Sequence, residues 1–86
     1  MAKPDKKTLA KFLADKKATE TEGEIYHFMV NRMEKVGLAI QNKTIADGTE
    51  RYRTTVGYHL RNMLKKGLIK KSGDIHYIPV YPKTAA

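Results

Sequence analysis

Apolar residues at helical spacing mark the first element of the chain. In residues 5–17, Leu9, Phe12 and Leu13 fall on one side, together with the stem of Lys16. Side chains at i, i+3, i+4 and i+7 share one face of an α-helix. The stretch therefore predicts a short amphipathic helix with a basic outer face.

The next stretch predicts the longest helix of the chain. A turn is expected around residues 18–20. Thr21 and Glu24 then have the spacing of a capping box, in which each side chain accepts a hydrogen bond from the other residue's backbone amide. Gly37 is the expected C-terminal stop. The apolar positions in between are Ile25, Phe28, Met29, Met33 and Val36.

Shorter elements are expected in the rest of the chain. Residues 38–40 form an apolar, extended stub, and Asn42 can cap a short helix over 43–47. A turn at 48–50 leads to a helix over 52–66.

A hairpin is expected after the last helix, which Gly67 stops. The β-prone runs 68–71 and 75–78 flank a short loop at 72–74. The order is thus helix, helix, stub, short helix, turn, longer helix and β-hairpin.

Charge changes the picture more than size does. The chain has 86 residues, enough for one small domain, and a net charge of +8. Between Arg51 and Lys71 there are seven positive side chains and no acid. Such a block favours a polyanion, with nucleic acid first and an anionic membrane surface second. A solvated basic surface without a partner is the alternative.

The sequence contains little that indicates a catalytic or metal-binding site. Without cysteine there is no disulfide, thiolate metal site or cysteine nucleophile. His27, His59 and His76 share no metal-ligand spacing, and neither a Gly-rich phosphate loop nor a nucleophile–base pair stands out. We therefore expect no enzyme, no cofactor, no metal and no small-molecule ligand. No run approaches the ~20 apolar residues of a membrane span, so we expect a cytoplasmic protein.

The segment from Thr44 to Ile78 has a recurring order of residues: an Ile-Ala pair in a short helix, Thr-Val and further apolar residues in the next helix, and Gly-Leu-Ile before the hairpin. The residues are Ile45-Ala46, Thr55-Val56, Leu60, Met63 and Gly67-Leu68-Ile69. In these residues the segment resembles the winged helix-turn-helix superfamily of DNA-binding regulators. The likeness covers about residues 21–78 and identifies no single family; Gly57 inside the recognition helix and a very short wing depart from the pattern.

The resemblance implies an α+β, mainly α fold, a winged helix-turn-helix with an extra N-terminal helix and a C-terminal two-stranded wing. Residues 1–20 are then a possible dimerisation element, 21–80 the DNA-binding domain and 81–86 a flexible tail. A protein bound to DNA in this way would be nucleoid-associated.

The polar side of the 52–66 helix is the main candidate site. Opposite the apolar arc of Val56, Leu60 and Met63, between about 140° and 240° on the helical wheel, every side chain can donate a hydrogen bond and none is acidic. Arg pairs with guanine and Asn with adenine, while Thr or Tyr contacts phosphates or thymine methyls. The alternative is an ordinary solvated face, although such faces usually mix Glu with Lys. These residues are Thr54, Tyr58, Arg61, Asn62 and Lys65.

Further candidates surround this face, each with a structural alternative. Gly57 allows close backbone approach to DNA or merely tight packing, and the wing lysines contact phosphate or protect an edge strand. Lys65 and Lys66 can simply complement the helix dipole. The predicted DNA-binding residues are Lys43, Arg51, Arg53, Thr54, Thr55, Gly57, Tyr58, Arg61, Asn62, Lys70, Lys71 and Ser72.

The sequence thus predicts a sequence-specific binder of double-stranded DNA, a transcriptional regulator and more specifically a repressor. The alternatives are a protein–protein module that docks on a larger machine such as RNA polymerase, a plasmid or viral DNA maintenance protein, and an RNA binder. A homodimer through the N-terminal helix is also expected, because one recognition helix reads too few base pairs. The alternative is that the apolar face of that helix packs on its own domain.

Overall fold

The computed structural model describes residues 6–82, which form an α+β fold that is mainly helical. The expected tail at 81–86 lies outside the described residues from position 83 onward. The elements in chain order are α1 (Lys6–Asp15), α2 (Glu20–Val36), β1 (Ile40–Gln41), α3 (Asn42–Thr49), α4 (Arg53–Lys66), β2 (Ile69–Lys71) and β3 (His76–Pro79).

The described strands form one antiparallel sheet in the order β1-β3-β2. The hairpin pairs Ile69 with Pro79, as expected, whereas β1 places Ile40 opposite Tyr77. The expected two-stranded hairpin is therefore present, within a larger three-stranded sheet. The stub before α3 becomes a third strand because Ile40 is buried in the core and its backbone pairs with β3. The element order is compatible with a winged helix layout.

The start of α2 lies earlier in the chain than predicted. Thr19 is the N-cap, and its hydroxyl accepts from the Glu22 amide at 3.2 Å while the Glu22 carboxylate accepts from the Thr19 amide at 2.9 Å. The capping box at Thr21 and Glu24 was wrong by two residues. Both pairs have the right spacing, but Glu22 is buried and bonded to Lys66, which selects the first pair.

Both ends of α3 also differ from the prediction. Gln41 is the N-cap, without a side-chain cap bond, and Asn42 is the first helical residue, so its predicted capping role was wrong. The helix continues through Gly48, against which the Phe28 ring packs so closely that an added Cβ would overlap it. The reversal occurs at Glu50, whose φ of 56° is left-handed.

The apolar side of α1 packs on its own domain. Leu9 and Leu13 are buried members of the core, and Phe12 packs at its edge. This is the alternative that the sequence left open, and it removes the reason for placing a dimer interface on α1.

Val36, by contrast, does not continue the buried stripe of α2, because 47% of its surface is exposed.

The segment after β3 is held against the core by polar contacts. The Tyr26 hydroxyl donates to the Val80 carbonyl at 2.6 Å, and the Val80 amide donates to the Leu68 carbonyl at 2.8 Å. Burial, followed by the nearby Tyr81 phenol, raises the pKa of Tyr26. Tyr26 therefore stays a neutral donor that fixes the segment after β3 against α2.

Candidate nucleic-acid interface

The two sides of α4 have the polarity that the helical period predicts. Val56, Leu60 and Met63 are fully buried. The opposite side carries the exposed residues Thr54, Thr55, Tyr58, Arg61 and Lys65, and Asn62 is half-buried. The structure thus brings the predicted helix residues onto one open surface, which we call the α4 face.

Tyr58 is the most exposed large apolar side chain of the α4 face, at 59%. Its ring packs edge-on against His59, with centroids 5.3 Å apart and planes at 71°. The contact restricts the ring while leaving most of it open. Tyr52, just before the helix, is 82% exposed, and the sequence did not single it out as a site residue.

The start of α4 has no counter-charge of its own. Tyr52 is its N-cap without a side-chain cap bond, and the first turn has no acid. Exposed Arg53 lies there, where the helix dipole disfavours a cation. Lys43 occupies the corresponding first turn of α3, which also lacks a side-chain cap and an acid. By contrast, α2 begins with a complete capping box and two acids.

Arg51 has a partner within the chain. Its guanidinium donates to the Glu24 carboxylate at 2.5 Å and to the Thr49 carbonyl at 3.3 Å. The ion pair between α2 and the turn before α4 explains the position of Arg51 without a phosphate. Arg53 has no such partner among the described residues, so it remains the stronger candidate of the two for contact with a DNA phosphate.

Gly57 has a packing role in the contact between α3 and α4. A Cβ at this position would lie 3.3 Å from the Asn42 side-chain amide nitrogen, closer than most such contacts. That nitrogen donates to the Arg53 carbonyl, also at 3.3 Å. The small residue therefore lets the start of α3 lie against the first turns of α4, which favours packing over DNA approach.

The wing places its candidate residues on two different faces. Lys70, Lys71 and Ser72 are all exposed, but successive side chains on a strand point to opposite sides. Lys71 lies on the same side as buried Ile69, and Lys70 on the other. One flat surface cannot contact both lysines equally.

The C-terminal end of α4 is occupied by a structural ion pair. The Lys66 ammonium donates to the buried Glu22 carboxylate at 2.5 Å and to the Lys17 carbonyl at 3.0 Å. It therefore joins the ends of α1 and α4 to the start of α2. Burial would raise the pKa of Glu22, but hydrogen bonds from Lys66 and the Thr19 amide outweigh it, and the pKa is lowered.

Other site chemistry is sparse in the described part of the chain. Residues 6–82 contain no cluster of three or more His, Asp or Glu side chains suited to a metal ion. None of the helices there is both long and apolar enough to cross a bilayer. The Nδ1 atom of His59 and the Oδ1 atom of Asn42 are buried without hydrogen-bond partners.

Comparisons with protein-family models, with curated proteins and with solved structures found no match to this chain.

Several contacts could not be predicted from the sequence. The Glu22–Lys66 and Glu24–Arg51 pairs join residues 44 and 27 positions apart, and no local pattern connects them. The exposure of Tyr52 had a weak signal, since it adjoins two arginines in the acid-free block.

Proposed function

We propose that the chain binds double-stranded DNA sequence-specifically as a winged helix-turn-helix regulator, and more specifically as a repressor. In this proposal the α4 face enters the major groove, and the β2–β3 wing contacts the flanking backbone. The observation that carries the proposal is the composition of the α4 face. It is open to solvent, rich in hydrogen-bond donors, and free of acids.

The chemistry of the α4 face matches what base edges offer. The Arg61 guanidinium can donate two hydrogen bonds to guanine, and the Tyr58 ring offers apolar contact to a thymine methyl. In a helix-turn-helix the N-terminal part of the recognition helix reaches the bases. Thr54, Thr55 and Tyr58 lie in that part.

Two uncapped helix starts add support for phosphate binding. The first N–H groups of α3 and α4 have no side-chain acceptor, and Lys43 and Arg53 lie beside them. Backbone N–H groups together with the helix dipole favour an anion at this position. A DNA phosphate would provide the negative charge that neither first turn contains.

Salt-dependent titration of duplex DNA tests the proposal. We expect micromolar or tighter affinity at about 50 mM salt, and a slope of log K against log salt of roughly −4 to −5 if about five phosphates are neutralised. Arg61→Glu should weaken binding strongly. Lys11→Glu, on the exposed side of α1, changes the net charge equally and is the matched control.

Two results would contradict the proposal. One is the absence of duplex binding at about 50 mM salt, since non-specific binding alone is usually measurable there. The other is equal weakening by Arg61→Glu and Lys11→Glu, which would mean that net charge, rather than the α4 face, attracts DNA. A preference for structured RNA over duplex in competition would instead favour the RNA-binding alternative.

A further inference from the structure

A cleft between the C-terminal end of α2 and the start of α3 combines exposed apolar residues with unpaired charges. It encloses about 440 Å³, and we call it the α2–α3 cleft. Two apolar side chains beside it, Val36 and Leu38, are 47% and 67% exposed. The lining residues include Arg32, Val36, Leu38, Lys43 and Asp47.

The exposure of Leu38 stands out against an equivalent position in the same chain. Both α2 and α4 end at a left-handed glycine followed by leucine. Leu68, after α4, is fully buried in the core, whereas most of Leu38 faces solvent. Single exposed apolar residues are common, but Val36 and Leu38 adjoin each other at the rim of one cleft. Such a surface is typical of a contact with another protein.

Charges in the α2–α3 cleft indicate what that protein is. Arg32 on α2 and the α3 residues Lys43 and Asp47 line the cleft and are exposed. Arg32 and Asp47 form no ion pair or hydrogen bond with another of the described residues. The surface therefore carries both charge signs, and each of these two groups is available to a partner. A nucleic-acid backbone offers no apolar surface to cover Val36 and Leu38, whereas a second protein chain does.

We infer that the α2–α3 cleft is the interface of a two-fold homodimer. In such an interface the same patch meets itself, so every contact occurs twice. Val36 and Leu38 of the two copies pack together across the axis. Arg32 of each copy pairs with Asp47 of the other. A patch with both charge signs and an apolar pair can meet its own rotated image with opposite charges facing each other.

Sedimentation of the full chain tests this assignment. The wild type should show a reversible dimer of twice the 9.8 kDa chain mass at tens of micromolar. Leu38→Asp should weaken dimerisation by about tenfold or more, which corresponds to 1.4 kcal/mol. Ile75→Asp, at an apolar residue that is 58% exposed in the loop between β2 and β3, is the matched control and should have no effect.

Charge reversal tests the two-fold pairing itself. Arg32→Asp alone and Asp47→Arg alone should each weaken the dimer, because each places two like-charged pairs across the axis. The double variant restores opposite charges and should recover dimerisation. Circular dichroism melts check that every variant remains folded.

Any of three results would overturn the inference: a wild-type monomer at about 100 µM, an unchanged dimer in Leu38→Asp, or single reversals that dimerise like the wild type. These outcomes are separable from the DNA proposal, because a monomer that still binds duplex would refute only the interface.

Discussion

At the scale of single residues, substitutions of Arg61 and Lys65 distinguish recognition of a base from simple attraction between charges. Both are exposed on the α4 face, but only the planar guanidinium can make a bidentate contact with guanine. Arg61→Ala should therefore lower affinity for the preferred site by ~1–3 kcal/mol and relax the base preference there. Lys65→Ala should weaken all sequences about equally. Anisotropy titrations on the preferred duplex and on point-substituted duplexes measure both effects.

An unchanged base preference in Arg61→Ala would contradict this assignment and make the α4 face a solvated surface. Asn62 is a weaker candidate than its position on the helical wheel indicated, since it is half-buried. Its polar atoms are therefore less accessible to a base than those of Arg61.

Glu22 offers a pH test of the core. Its pKa is lowered in the folded state, with Lys66 and the Thr19 amide outweighing burial. A carboxyl with a lowered folded pKa stabilises the fold above its unfolded pKa, here about 4.5, and loses that contribution as pH falls through the folded value. Glu22→Gln should therefore lower the free energy of unfolding at pH 7 by roughly 1–3 kcal/mol.

Urea unfolding at pH 7 and at about pH 3 measures this contribution. The difference between wild type and Glu22→Gln should shrink at the acid pH, because the charged carboxyl loses its stabilising contribution as the pH falls towards its lowered folded pKa. An equal difference at both values would mean that shape, rather than charge, makes Glu22 important. Glu20→Gln, at an exposed position in the first turn of the same helix, is the control and should have little effect at either pH.

Individual residues show which part of the site could be predicted from the sequence. The helical wheel correctly separated Val56, Leu60 and Met63 from Tyr58 and Arg61, because a helix's period is a local property. It could not foresee that Glu24 neutralises Arg51 or that Lys66 reaches Glu22. Those partners come from other elements, and the fold brings them together.

At the scale of elements, the helices were predicted well and their ends less well. Gly37 and Gly67 end α2 and α4, as expected, because a left-handed C-terminal residue is a local requirement that glycine meets. The start of α2 was predicted at Thr21, whereas Thr19 caps the helix, although both threonines have a Glu three residues later. A tertiary contact, Lys66 on buried Glu22, decides between them.

Two glycines within helices should respond differently to substitution by alanine. Alanine is favoured over glycine in a helix by about 1 kcal/mol. At Gly57 the added methyl meets only the side-chain amide of Asn42, which can move. Gly57→Ala should therefore change stability by less than about 1 kcal/mol. At Gly48 the methyl overlaps the Phe28 ring, and Gly48→Ala should destabilise by roughly 1–3 kcal/mol through overpacking.

Thermal or urea unfolding of the two variants measures the difference. Gly48→Ala in a Phe28→Leu background provides a control, because a smaller side chain leaves room for the methyl group. DNA titration of Gly57→Ala adds a separate result. A severalfold loss of affinity at unchanged stability would show that Gly57 serves close approach to DNA after all.

At the scale of the whole molecule, sequence order predicted the arrangement of elements but not every contact among them. The order of the helices and the hairpin follows from local patterns. The pairing of β1 with β3 and the burial of α1 depend on residues far apart in the chain. Sequence alone therefore could not decide what Leu9 and Leu13 pack against. It also assigned Val36 to the core, although the last turn of α2 faces solvent.

Molecular dimensions connect the proposed dimer with DNA. The principal extents are 37 × 26 × 22 Å, so the centres of two copies in contact lie a few tens of ångströms apart. Half-sites on one side of the duplex recur every helical turn, ~34 Å or 10–10.5 base pairs. The size of a two-fold dimer of this chain is therefore compatible with half-sites one helical turn apart.

Half-site spacing is consequently the strictest test of the complete assembly. On palindromes built from a selected half-site, we expect the tightest binding at a spacing of about 10 base pairs, since both α4 helices then face the same side of the DNA. A spacing of about 15 base pairs should lose most of the gain, because the second half-site rotates to the far side of the duplex. Leu38→Asp should bind each half-site independently, with one affinity at every spacing. If the wild type shows equal affinity at both spacings, the chain reads DNA as a monomer, and the α2–α3 cleft does not set the geometry of recognition.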